Sequence, residues 1–209
     1  MKLNTKGLLI VISGPSGVGK GTVRKALFKR TGHDLDYSVS MTTRAPREGE
    51  VDGVDYYFVS KEEFKRQIEK GNLLEHAEFV GNYYGTPKDK VEEKLASGHE
   101  VVLEIEVNGA MQVREKMQDA VFIFIAPPSY DALEKRLVSR GTERNEVIKE
   151  RLDKAHREIG LATNYDYIVI NDEVDNAADR IMAIIRAEHA KCSRTLDEYL
   201  KLMEETNND

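Results

Sequence analysis

The chain alternates short apolar runs with longer stretches whose apolar residues recur at helical spacing. LLIVI (Leu8–Ile12), VVLEIEV (Val101–Val107), VFIFIA (Val121–Ala126) and YIVI (Tyr167–Ile170) are the apolar runs. Runs of this kind, bounded by polar turns, predict strands buried on both faces. Helical stretches are expected near Asn108–Gln118, Ser129–Arg140, Asn145–Ala162 and Asp175–Lys191. In the last, Ala177, Ile181, Ile184 and Ile185 form one apolar stripe. Strands separated by helices predict an α/β fold with a parallel sheet and crossover helices.

From about Tyr37 to Ser97 the pattern changes. YSVSM, DYYFV and LLEHAEFV are shorter strand-like pieces, with turn signals in PREGE, DGVD and VGNYYG. They predict an antiparallel insertion with one short helix, Lys61–Lys70. RGTERNE (Arg140–Glu146) is a polar break between two helical patterns, either a lid over a phosphate site or an ordinary exposed loop. Near the C-terminus Leu196, Tyr199, Leu200 and Met203 share one helical face. That face either packs on the body or contacts another subunit, which leaves a homodimer open.

Composition narrows the class. The 209 residues suffice for one α/β domain with insertions. A net charge of −6 argues against a general nucleic-acid binder, yet leaves room for local basic pockets. Cys192 is the single cysteine, so no disulfide framework forms within the chain, as expected in a reducing cytosol. The five histidines show no metal-ligand spacing. The first apolar run is too short for a signal peptide core or a membrane span. These features together predict a cytoplasmic protein with no membrane partner.

The strongest chemical signal is GPSGVGKGT, comprising Gly14, Pro15, Ser16, Gly17, Val18, Gly19, Lys20, Gly21 and Thr22. It matches the phosphate-loop pattern G-x-x-x-x-G-K, and it lies between a buried-type strand and an amphipathic helix, as that motif requires. Glycines let the loop turn its N–H groups inward, the helix N-terminus adds partial positive charge, and Lys20 supplies a cation to phosphates. The alternative is a tight turn with a solvated lysine. The position after the lysine, which usually carries the hydroxyl that holds Mg²⁺, is Gly21, with Thr22 one place late.

A second anion site is suggested by SVSMTTRAPRE, where Arg44 and Arg47 stand three apart on a loop stiffened by Pro46. Two guanidiniums suit a phosphate monoester. On spacing alone a solvated loop, with the arginines paired to Glu48 and Glu50, fits equally well. Glu75 lies among apolar residues in LLEHAEF, where a carboxylate is costly without donors. Guanine offers two adjacent donors, whereas adenine lacks both; a solvent-facing strand glutamate is the ordinary alternative.

Taken in order, GPSGVGKGT, SVSMTTRAPREGEVDGVDYYF, EHAEFVGNYYGT, VVLEIEVNGA, RGTE and INDE resemble the guanylate kinases over roughly Gly7 to Ala190. The resemblance implies a P-loop core (1–36, 98–128 and 164–209), an α/β GMP-binding insertion (37–97) and a lid region (129–163). It implies transfer of the γ-phosphoryl of ATP to GMP or dGMP, with Mg²⁺ held mainly by ATP phosphates and water. By matching positions, Arg44, Arg47, Tyr56 and Tyr84 would hold the GMP phosphate, and Ser40, Glu75 and Thr86 would read the guanine. Glu104 and Glu106, expected on one face of a strand end, would join the acceptor side, Glu106 nearer the GMP and Glu104 nearer the metal. Arg136, Arg140 and Arg151 would neutralise the ATP phosphates with Lys20, and Asn171 would lie near the adenine. The family more often has aspartate at the two glutamate positions and glutamine at Asn108. Two other readings are weaker: a scaffolding module that has lost catalysis would have a degraded loop, and a kinase for AMP or CMP would not need Glu75 and Thr86.

Overall fold

The computed structural model describes residues 6–30, 34–138 and 145–206. In chain order the elements are β1 (Leu9–Ser13), α1 (Lys20–Leu27), β2 (Leu35–Tyr37), β3 (Met41–Thr42), β4 (Tyr57–Phe58), α2 (Lys61–Glu69), β5 (Leu73–Phe79) and β6 (Asn82–Pro87). They continue with α3 (Lys88–Ala96), β7 (Glu100–Glu104), α4 (Val107–Lys116), β8 (Val121–Ala126), α5 (Tyr130–Val138) and α6 (Asn145–Gly160). After a 3-10 turn over Leu161–Asn164 come β9 (Tyr167–Ile170), α7 (Val174–His189) and α8 (Cys192–Thr206).

The five-stranded sheet runs β2-β7-β1-β8-β9, and every pairing in it is parallel. β1 is central and wholly buried, and alternation divides its side chains between two layers. Ile10 and Ile12 pack with Val23 and Leu27 of α1 and Ile181 and Ile185 of α7. Leu9 and Val11 face Val91 and Leu95 of α3 and Ala110 and Val113 of α4. This three-layer core is what the apolar runs predict, and it brings the C-terminal ends of the strands, with the loops that follow them, to one edge.

Several details differ from the sequence pattern. The run Val101–Val107 is a strand only to Glu104; Glu106 is already the N-cap of α4, so the two glutamates belong to different elements. YIVI is an edge strand: Val169 is buried, but Ile168 and Ile170 are exposed. YSVSM is divided, because Tyr37 pairs into the core sheet while Met41 and Thr42 belong to a second sheet ordered β4-β3-β6-β5.

That second sheet is mixed, not purely antiparallel: β3 pairs with β4 in parallel, and β6 runs antiparallel to both β3 and β5. α3 is a second helix in the region expected to hold one. In VGNYYG only Val80 and Gly81 turn. Both have positive φ (49° and 72°), as a two-residue type I′ hairpin needs, and Asn82 onward is strand. α2 starts where the Ser60 hydroxyl accepts from the Glu63 N–H at 3.1 Å, and it buries Phe64, which stacks on Tyr83 with ring centroids 5.5 Å apart.

The C-terminal helix carries the expected stripe, yet Leu196, Tyr199, Leu200 and Met203 are all exposed rather than packed on the body. No helix among the described residues is long and apolar enough to cross a membrane.

Candidate active site

The phosphate loop joins β1 to α1, and its glycines are fixed by crowding. A Cβ on Gly14 would fall 2.3 Å from the Ile125 carbonyl oxygen. Gly19 is the N-cap of α1 in the left-handed region (φ 94°), with no side-chain cap, and a Cβ there would meet the Asn171 amide at 2.8 Å. A helix start left uncapped by side chains is a ready anion site.

The carbonyls of the loop accept from protein donors. Lys20 Nζ donates to the Gly14 and Pro15 oxygens at 2.6 and 3.2 Å. The Val18 oxygen accepts from Asn171 Nδ2 at 2.7 Å and Arg136 Nη1 at 3.1 Å, while Arg136 Nη2 also reaches the Asn171 oxygen at 2.9 Å. Val18 turns its side chain into the core, and Pro15 has no N–H to offer. Burial lowers the Lys20 pKa, against the opposing pull of Glu106, Glu104 and Glu158. Arg151 of α6 donates to the Ser16 hydroxyl at 2.8 Å. α5 and α6 thus both send an arginine to the loop. Arg140 lies outside the described residues.

The loop opens on a cleft of about 600 Å³ lined by Gly14, Ser16, Lys20, Thr22, Glu104 and Glu106, among others. Glu104 accepts from Arg24 Nε at 2.7 Å, and the Arg24 guanidinium lies 4.2 Å from the centre of the Tyr37 ring. A Cβ on Gly21 would stand 3.3 Å from Glu104 Oε1. A carboxylate therefore borders the space where other phosphate loops put a hydroxyl side chain. Among the described residues no group of three or more His, Cys, Asp and Glu is arranged to hold a metal ion.

The insertion supplies a second cluster. Arg44 pairs with both oxygens of Glu50, at 3.0 and 2.9 Å, and Glu50 also accepts from the Arg47 N–H at 2.7 Å. The solvated-pair reading thus describes Arg44 in part, and the Arg44 bond holds the Glu50 carboxyl below its usual range. Arg44 also lies 5.3 Å from the centre of the Tyr56 ring, which meets Tyr84 edge-on at 6.1 Å. These three residues therefore converge. Ser40 is half-buried in the loop leading to β3, and its carbonyl accepts from Tyr57 N–H at 2.9 Å.

Glu75 is 7% exposed and accepts from the Thr86 hydroxyl at 2.7 Å. The β5–β6 register shifts between Leu73 and His76. Leu74 packs with Ala110 and Val113 of α4, and the Glu75 carboxylate stands against Gly109 of the same helix; strict alternation would set these neighbours on opposite faces, and the one-residue shift lets both reach α4. Burial raises the Glu75 pKa, opposed by the Thr86 bond and by Lys116.

Among the cleft residues, Arg24, Tyr37, Lys154 and Glu158 escaped the sequence reading. Arg24 was findable, one helical turn beyond Lys20. The others come from distant elements and carry no local signal.

The family model described as guanylate kinase matches residues 6–188. The chain is 59% identical over 206 residues to the guanylate kinase of Onion yellows phytoplasma (strain OY-M), covering 98% of this chain and 97% of the relative. It is 55% identical over 202 residues to that of Listeria monocytogenes serotype 4b (strain F2365), covering 97% and 98%. The crystal structure of guanylate kinase from Anaplasma phagocytophilum superposes with a TM-score of 0.70 at 38% identity, covering 91% of this chain and 90% of that one. With a phosphate loop between β1 and α1, the Arg44–Tyr56–Tyr84 cluster and the buried Glu75–Thr86 pair, the chain belongs to the guanylate kinase family and is a kinase.

Proposed function

We propose that this enzyme, which phosphorylates GMP to GDP at the expense of ATP, takes ATP at the phosphate loop and GMP at the insertion. dGMP is a second acceptor. Arg44, Arg47, Tyr56 and Tyr84 grip the acceptor phosphate, while Ser40, Glu75 and Thr86 read the base. The observation that carries the guanine assignment is the Glu75–Thr86 pair at 2.7 Å. A buried carboxylate, fixed by one hydroxyl, has acceptor capacity left for N1–H and the N2 amino group of guanine. Adenine would leave that capacity unmet in a buried place, an effect worth about 1–3 kcal/mol.

Phosphoryl transfer leaves the protein little covalent work; its task is alignment and charge stabilisation. Lys20 changes partners, from the Gly14 and Pro15 carbonyls to phosphate oxygens. Arg136, Arg140 and Arg151 add charge from the 129–163 region, which acts as a lid excluding water. Asn171, whose Oδ1 has no hydrogen-bond partner, sits beside the loop where the adenine is expected. Residues 1–36, 98–128 and 164–209 are assigned to the core and 37–97 to the acceptor insertion, except that Tyr37 pairs into the core sheet and α3 packs on it.

The residues fit Mg²⁺, since a hard carboxylate oxygen of Glu104 stands beside Gly21. Glu104 would hold the ion, directly or through water, with ATP phosphates and water as the other ligands. Once bound, the ion neutralises charge on the ATP phosphates. Gly21 then marks a metal role moved to another residue rather than a damaged loop.

The test is ADP release measured across GMP, dGMP, AMP, CMP and UMP, with and without Mg²⁺. Turnover is expected for GMP and dGMP alone and only with the metal. AMP turnover equal to that of GMP would overturn the base assignment.

A further inference from the structure

One cation of the phosphate cleft belongs to none of the groups described above. Lys154 lies on α6, three residues beyond Arg151 and four before Glu158. At these spacings the three side chains share one helical face. Arg151 reaches Ser16 of the loop at 2.8 Å. Lys154 Nζ stands 3.0 Å from Glu106 Oε2 and 3.6 Å from Glu158 Oε1. Lys154 and Glu158 line the same cleft as Lys20, and Lys154 is close enough to lower the proton affinity of Lys20.

We infer that Lys154 is a further cation contacting the phosphoryl group in transfer, with Glu158 as its positioning residue. This rests on the reading of the cleft as the phosphoryl-transfer site.

The two carboxylates that hold Lys154 differ in kind. The Glu106 side chain is 70% exposed, so water replaces its partner at little cost and the pair contributes little to stability. The Glu158 side chain is 9% exposed, and its Oε2 has no hydrogen-bond partner. A buried carboxylate of that kind needs a nearby cation. Glu158 therefore keeps the Lys154 stem in place, while Glu106 is the partner readily exchanged.

An arriving phosphate competes with Glu106 for the ammonium, and the repelled Glu106 swings outward. Burial lowers the Lys154 pKa, but Glu106 and Glu158 outweigh that and raise it, so it remains a charged donor at neutral pH. In the transfer itself, a GMP phosphate oxygen bonds to the γ-phosphorus as the bond to the ADP oxygen breaks. Lys154 keeps its protons throughout and donates hydrogen bonds to the equatorial oxygens, where charge gathers.

A plain surface ion pair would give a different result on mutation. Steady-state kinetics of Lys154→Met, Lys154→Arg, Glu158→Gln and the Lys154→Met/Glu158→Gln double variant, with thermal melting of each, separate the two. Lys154→Met is expected to lose about 100-fold in kcat, with KM for ATP and GMP changing by less than about threefold. Lys154→Arg should recover most of that loss, because charge is retained. Glu158→Gln should lose less than Lys154→Met, and the double variant no more than Lys154→Met alone. A kcat for Lys154→Met within about twofold of the parent would overturn the assignment. So would a loss that arginine does not restore and that tracks a lowered melting temperature. Lys20→Met serves as the control. If it turns over like the parent, the cleft is not the transfer site and the reading beneath this inference fails instead.

Discussion

The two anion sites of this chain are built on opposite plans. The phosphate loop spans nine consecutive residues and holds its shape through backbone: crowded glycines, carbonyls tied to Lys20, Asn171 and Arg136, and an open helix start. The proposed acceptor cluster is drawn from positions 40 to 86 and is built through side chains, namely Arg44 against Tyr56, Tyr56 against Tyr84, and Thr86 to Glu75. A backbone site serves any polyphosphate, because its N–H groups are alike whatever the side chains. A side-chain site can discriminate, because a carboxylate in a bulge accepts only particular donors. Under the proposed function the general site serves the donor and the selective one the acceptor.

Removing the loop's cation should have the largest effect and should not depend on the acceptor. Lys20→Met is expected to lower kcat by about 100- to 1000-fold for GMP and dGMP alike. A loss confined to one acceptor, measured in the same ADP-release assay, would break the division between general and selective sites.

A smaller and selective effect is expected at the acceptor side. Glu75→Gln should lower kcat/KM for GMP by about 10- to 100-fold, equivalent to about 1.4–2.8 kcal/mol, and leave KM for ATP little changed. The same residue sets a pH dependence. In the proposed role its carboxyl must be ionised to accept from guanine, and burial raises its pKa above the ordinary 4.5. GMP affinity, followed by calorimetry, should therefore decline on acidification before an ordinary glutamate would protonate. Stability runs the other way. The folded chain binds the proton more tightly than the unfolded chain, so the Glu75 contribution is fully present below pH 4.5 and is lost as pH rises through the folded pKa. Melting of Glu75→Gln should accordingly exceed that of the parent at neutral pH, with the difference shrinking in acid.

The finest test concerns Gly109 in the first turn of α4, where a Cβ would fall 2.9 Å from Glu75 Oε2. Gly109→Ala should push the carboxylate from its place. About 1 kcal/mol of lost recognition, roughly fivefold in KM for GMP, is expected with kcat little altered. An unchanged KM would show that Glu75 has slack, and that the selective site is less tightly built than its contacts suggest.

The core was legible because its signals are local. Leu8–Ile12 and Val121–Ala126 are apolar runs that only a doubly covered strand can bury, and Gly14, Gly19 and Lys20 carry a spacing that only a strand–loop–helix turn satisfies. The resemblance to guanylate kinases then gave Arg44 and Arg47 an expected role, which spacing alone left open between a phosphate grip and a solvated pair.

What remained hidden depends on contacts between segments far apart in the chain. Met41–Thr42 and Tyr57–Phe58 are strands of two residues each, too short to show a period, and they exist through their pairing with each other and with β6. The parallel direction of that first pairing follows from the path of the loop between them. Asn82–Tyr84 looked like turn because Gly81 and Asn82 dominate the local signal; the hairpin partner across Val80 and Gly81 made it strand. The apolar stripe of α8 left its surroundings undecided, and its four side chains lie exposed.

The sequence by itself determined the layered core, the phosphate loop and the family, because apolar periodicity and glycine spacing act over a few residues. The tertiary structure alone decided that a bulge turns Glu75 toward α4, that Glu104 stands beside Gly21, and that α6 brings Lys154 to Glu106 across the cleft. Each of these is a meeting of side chains from separate elements. Their distances arise from how the layers pack, and no period along the chain encodes that.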